Sequence, residues 1–111
     1  MFIIDNDNNI MLTRGDTAVI DLAITIDGEP YNYSNDLVQF TVKKDTVTSD
    51  KILQKTFNGT SITIDPADTS GLDYQTLKYD VQIITQSGNV FTVIPPRNLT
   101  IAEEGNFDGN N

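Results

Sequence analysis

Residues 77–94 read LKYDVQIITQSGNVFTVI. Leu77, Tyr79, Val81 and Ile83 alternate with Lys78, Asp80 and Gln82, the period-two pattern of a strand with one buried face. Ser87-Gly88 supplies a turn, and Phe91 and Val93 lie on the way back. The stretch predicts a β-hairpin, and its pattern recurs on both sides.

Downstream, Pro95-Pro96 cannot donate main-chain hydrogen bonds and marks an edge or a strand switch. NLTIAEE then supplies a last short strand through Leu99 and Ile101. Upstream, DPADTSGLDYQ is the one place suited to a helical turn, near residues 66–70. Pro66 fits the first helical position, Asp65 fits the cap, and Gly71 ends the turn. Leu72 and Tyr79 are expected to pack at this corner, loosely like a tyrosine corner.

KILQKTFNGTSITID reads as a second hairpin, with Asn58-Gly59 as a tight primed turn and Ile62 and Ile64 facing inward. In LVQFTVKK, Val38, Phe40 and Val42 alternate with Gln39, Thr41 and Lys43. In AVIDLAITIDG, Ile20, Leu22, Ile24 and Ile26 share one face of a strand that Asp27-Gly28 ends. The sum is roughly seven or eight antiparallel strands spaced as in an immunoglobulin-like β-sandwich. One domain over residues 1–103 is expected, with a disordered polar tail over residues 104–111.

Composition narrows the chemistry. A chain of 111 residues that is 38% hydrophobic can bury a core without staples. Cysteine and histidine are both absent. Thiol nucleophiles, thiolate metal sites, zinc centres and Ser-His-Asp catalysis therefore have no residues to use. The net charge of −9 repels phosphate backbones and suits a basic partner. No apolar run is long enough to span a membrane, and MFIIDNDNN lacks the basic start of a signal peptide. The expectation is synthesis in a cytoplasm with no nucleic-acid or membrane partner.

Four constellations invite a functional reading. Arg14-Gly15-Asp16 is an adhesion tripeptide, but Gly15 and Asp16 also suit a plain turn between strands, which is the reading preferred. Asp5, Asp7 and Asn9 start like a calcium loop, and Asp16 falls at its twelfth position. Ile10 stands where that loop needs glycine, so a solvated acidic turn is expected instead. Asp65 and Asp68, with Asp73 nearby, resemble paired glycosidase carboxylates, but helix capping by Asp65, Asp68 and Thr69 explains them better. Tyr31 and Tyr33 in GEPYNYS share a face and stand between core rim and interface. They are the candidate interface residues. No catalytic, metal or cofactor-binding residue is assigned.

The ordered set LTRGDTA, DGEPYNYS, VQFTVKK, DPADTSGLDYQTLKYDVQI and GNVFTVIPPRNLTI resembles the immunoglobulin-like domain at the N-terminus of phage baseplate upper proteins, which also occurs alone in phages and prophages of Gram-positive bacteria. The likeness runs from about Ile10 to Glu103, and in that family the RGDT turn opens the second strand. Asp68, Thr69, Leu72 and the run Leu77-Lys78-Tyr79-Asp80 follow its pattern, while Gln75 stands where glycine is expected. The resemblance implies a virion structural module of tail or baseplate, working by protein–protein contact without catalysis or cofactor. Its partners would be other phage tail or baseplate proteins, or further copies of itself. The rival reading is a module that binds carbohydrate or a host surface through Tyr31, Tyr33 and acidic loops, with a host glycan as partner.

Overall fold

Alternation places β6 (Leu37–Lys43) and β9 (Gln75–Ile84) at the centre of the fold. Val38, Phe40 and Val42 on β6, and Leu77, Tyr79, Val81 and Ile83 on β9, are all buried. The two strands pair antiparallel with Phe40 opposite Val81 and Val42 opposite Tyr79. The Phe40 and Tyr79 rings stack at 5.0 Å between centroids. Branched and aromatic side chains on one pleated face hold this pair together by burial.

The computed structural model describes residues 2–33, 35–47 and 50–103. The expected tail over residues 104–111 lies outside them, as does the side chain of Ile26. A six-stranded sheet runs β1 (Phe2–Ile4), β2 (Ile10–Thr13), β10 (Val90–Ala102), β9, β6 and β7 (Lys51–Thr56). A second layer pairs β3 (Ala18–Asp21) with β8 (Ser61–Ile64). Ala18, Ile20, Ile62 and Ile64 from this layer join one core with the inward residues of the sheet. A small ribbon pairs β4 (Thr25–Ile26) with β5 (Glu29–Pro30). The single helical turn α1 (Pro66–Thr69) begins at Pro66 after Asp65, where the sequence placed it. The fold is all-β with one short helical turn.

Several expectations are corrected. β2 and β10 run parallel, with Leu99 opposite Ile10 and Ala102 opposite Thr13; all other ladders are antiparallel. Strands far apart in the chain have no short turn to force antiparallel pairing. Ten strands are present among the described residues, because the ribbon β4–β5 and short β1 add to the long ones.

The run KILQKTFNGTSITID is no hairpin. β7 pairs with β6 in one layer and β8 with β3 in the other. Only the bridge Asn58↔Ser61 remains at the turn. The turn itself is tight, with Gly59 (φ 66) and Thr60 between the bonded pair Asn58 and Ser61; one positive φ at the first central residue suits a primed turn of type II′. The two positive φ angles of a type I′ turn occur at Asp27 (φ 52) and Gly28 (φ 81).

The strand over residues 20–26 breaks after Asp21 although its inward and outward alternation continues through Ile24. Its main-chain groups are taken by other partners. Leu22 donates to the Thr60 carbonyl (2.8 Å), and the Leu22 carbonyl accepts from the Tyr33 hydroxyl (2.6 Å). The Ile24 carbonyl accepts from the Tyr31 N–H (2.8 Å).

Residues 99–102 are no separate strand, for β10 runs unbroken through Pro95-Pro96. Register shifts near Val93 and at the prolines absorb one extra residue each, and a bulge tolerates proline. The prolines mark where β10 changes from an edge to an interior strand, since β2 joins it only from Leu99 onward. Gln75 begins β9 opposite Ile101, and its amide donates to the Asp73 carbonyl at 3.2 Å. The Tyr79 hydroxyl makes its bond away from the corner at Leu72. It reaches the β1–β2 turn and donates to the Asn8 carbonyl at 2.5 Å.

Candidate functional site

Two strands in the second layer cannot cover six in the first. Where β3 ends at Asp21, the layers part around a cleft of about 460 Å³. Phe40, Tyr79 and Val81 form its floor. Leu22 and Ile24 line one wall, and Val93 and Ile94 of β10 the other. Polar groups enter from Asn8 and Asp21. Apolar walls with a few fixed polar atoms are the usual make-up of a binding cleft. Burial pushes the Tyr79 hydroxyl up to about 12, opposed by Arg97 and aided by Asp5, so it is a neutral donor at pH 7.

The β10 wall is also an open sheet edge. Thr85 donates to the Asn89 carbonyl (2.8 Å), which makes that pair hydrogen-bonded. Antiparallel alternation makes Phe91 and Ile83 the next such pair and turns the main-chain groups of Val90 and Thr92 away from β9. Among the described residues no strand lies on that side before Leu99. Val90 is 55% and Phe91 56% exposed. Phe91 lies opposite buried Ile83, on the core side of the sheet, yet nothing in the second layer covers it. From Val81 to Pro96 the chain carries no charged residue at all. Exposed edges ordinarily carry charge, proline or a covering loop to prevent pairing.

The constellations singled out from sequence lie elsewhere or turn inward. The RGD tripeptide forms the β2–β3 turn, with Gly15 at φ 83. Gly15 donates to Thr69 Oγ1 (2.8 Å), and Thr69 is buried in α1. The Arg14 guanidinium donates to the Leu72 carbonyl (3.2 Å) and to the Tyr74 hydroxyl (3.1 Å), and lies 4.4 Å above the Tyr74 ring. An arginine so engaged is folded back on its own domain and staples the turn to the loop after α1.

Asp5 spends its carboxylate on its own turn. Oδ1 accepts from the N–H groups of Asp7 and Asn9, both at 2.9 Å, and Oδ2 from the Asn9 amide at 3.3 Å. The Asn9 main-chain bond, opposed by some desolvation, holds its pKa below the ordinary carboxylate value. Asn8 takes φ 65 in this Asx-type turn. Among the described residues no group of three or more acidic side chains is arranged to hold a metal.

Asp65 and Asp68 both face Lys55 of β7, at 3.5 and 2.8 Å, and Asp68 accepts from the Asp65 N–H at 2.8 Å. Burial raises the Asp68 pKa, but Lys55 and the Asp65 N–H outweigh it and leave it lowered. These carboxylates cap a helical turn and pair with one cation.

Tyr33 is only 6% exposed and its hydroxyl donates to the Leu22 carbonyl, which places it in the core. Tyr31 is half-buried and donates to Asp36 Oδ2 at 2.5 Å. Sequence reasoning placed Phe91 and Val93 merely on a return strand and missed the cleft. The one signal available was the charge-free run ending in Pro95-Pro96.

The chain matches no family model. No curated protein and no solved structure matches it either.

Proposed function

We propose that this chain is a structural module of a phage or prophage virion, seated in the tail or baseplate and working by protein–protein contact without catalysis. The observation that carries the contact reading is the uncharged edge over residues 90–94, with Val90 and Phe91 exposed beside an apolar cleft. Exposed apolar surface rimmed by polar residues is how an interaction site looks before its partner arrives. The virion context rests on the resemblance of the ordered motifs, from LTRGDTA to GNVFTVIPPRNLTI, to the immunoglobulin-like domain of baseplate upper proteins.

The carbohydrate-binding alternative loses its main support, because Tyr33 is buried and Tyr31 is tied to Asp36. The test is mass spectrometry of particles purified after induction of the strain that carries the gene. The chain is expected in intact particles at a fixed ratio to tail proteins. Its presence in the lysate together with its absence from particles would overturn the virion assignment.

A further inference from the structure

We infer that residues 90–94 of β10 accept an added strand: an extended segment of another protein, with apolar side chains at alternate positions and lysine or arginine between them. The inference deepens the contact reading above and rests on it. Main-chain groups of Val90 and Thr92 face the open side, so a segment laid there completes a ladder as strand addition does. Every second side chain of that segment then points toward the cleft between Val93, Ile94, Leu22 and Ile24. The prolines at 95 and 96 close the ladder at one end and the turn at Gly88 at the other, which limits the added strand to the short run between them.

Charge selects the occupant. Asp21 lies in the cleft wall, and Asp5 and Asp7 sit in the turn between the lining residues Ile4 and Asn8. Arg97, which donates to the Asp7 carbonyl at 2.9 Å, is the opposing cation, but it stands against three carboxylates, so the balance at this mouth is negative and favours a cationic segment. A second copy of the chain would bring another −9 of charge to the same place, which disfavours self-pairing.

The test uses the whole chain and a labelled synthetic peptide of about six residues, the length of an ordinary strand, with Ile and Val alternating with Thr and Lys. Fluorescence anisotropy is expected to show saturable binding. A peptide with Glu in place of Lys should bind about tenfold more weakly. Thr92→Pro, which removes a main-chain donor on the open side, should abolish binding. Because Thr92→Pro could also disturb the fold, Phe91→Lys at an exposed position serves as a second variant and should weaken binding about tenfold with an unchanged circular dichroism spectrum. No saturable binding of the Lys peptide, equal binding of the Glu peptide, or a dimer of the free chain in sedimentation that Phe91→Lys dissolves would each overturn the inference. Failure here with the chain still present in particles would leave the virion assignment standing.

Discussion

Among the described residues, two long stretches of the six-stranded sheet have no strand neighbour, and one is guarded by charge while the other is not. β7 carries Lys51 and Lys55, and Lys55 is held on Asp68 and Asp65 of the capped turn. Just past the strand, Phe57 donates its N–H to Val38 (2.9 Å) and drives its ring into the core, 8% exposed. Residues 90–94 of β10 have no charge, no ion pair and an exposed phenylalanine, and their guards are the bulge at Val93 and the prolines that follow. The remaining edge, β1, is only three residues long, and shortness is itself a defence. Charged, tied edges resist pairing, while a neutral edge beside an apolar cleft invites it. The contrast between two borders of one sheet is what points to β10 as the working surface.

Two phenylalanines give the largest test of that contrast. Phe57→Ala should cost about 3–5 kcal/mol, because a buried ring is lost and its cavity only partly closes. Phe91→Ala should change stability by less than about 0.5 kcal/mol, as an exposed substitution does. Urea unfolding of both variants measures the difference; equal losses would mean that Phe91 is already covered in the free chain.

Tyr79 ties the cleft floor to the β1–β2 turn. Tyr79→Phe should cost about 1 kcal/mol for the lost bond to Asn8. The tyrosine also sets an alkaline limit. Its folded pKa of about 12 exceeds the unfolded value of 10.0, so its contribution is complete below pH 10 and is lost as pH rises toward 12. Thermal melts between pH 9 and 12 should fall less steeply for Tyr79→Phe than for the natural chain. Tyr31, raised by its bond to Asp36, and Tyr33, raised by burial, add to the same slope and remain in the variant.

On the guarded side, Lys55→Met should cost no more than about 1 kcal/mol at pH 7, since both partners are partly exposed. Asp68 is lowered below 3.8, so its contribution is present above that value and lost as pH falls through the folded pKa. The variant should therefore show a shallower acid loss. If the edge comparison holds, it should also associate more readily at high concentration, as light scattering would record, because a guard is gone.

The central strands were legible in the sequence because Val38, Phe40 and Val42, and Leu77 to Ile83, alternate without interruption and are buried as read. The capped turn at Asp65-Pro66 and the hairpin at Ser87-Gly88 follow from local chemistry. Alternation tells which face a residue takes, but not which layer its strand joins. That is why β7 and β8 looked like a hairpin and are partners of different sheets. It also does not tell depth: Tyr31 and Tyr33 share a face, yet only Tyr33 reaches the Leu22 carbonyl and the core. The break after Asp21 depends on hydrogen bonds from residues distant in sequence, and the exposure of Phe91 depends on how far the second layer extends. Neither is written in any local pattern.

Residue-resolved amide exchange by NMR tests the central claim most directly. In the free chain the Val90 and Thr92 amides should exchange quickly while that of Phe91, bonded to β9, is protected. Saturation with the lysine-bearing peptide should slow Val90 and Thr92 and leave residues 51–56 of β7 unchanged. Slow exchange at Val90 and Thr92 in the dilute free chain, or no change there on peptide addition, would contradict an open strand-accepting edge.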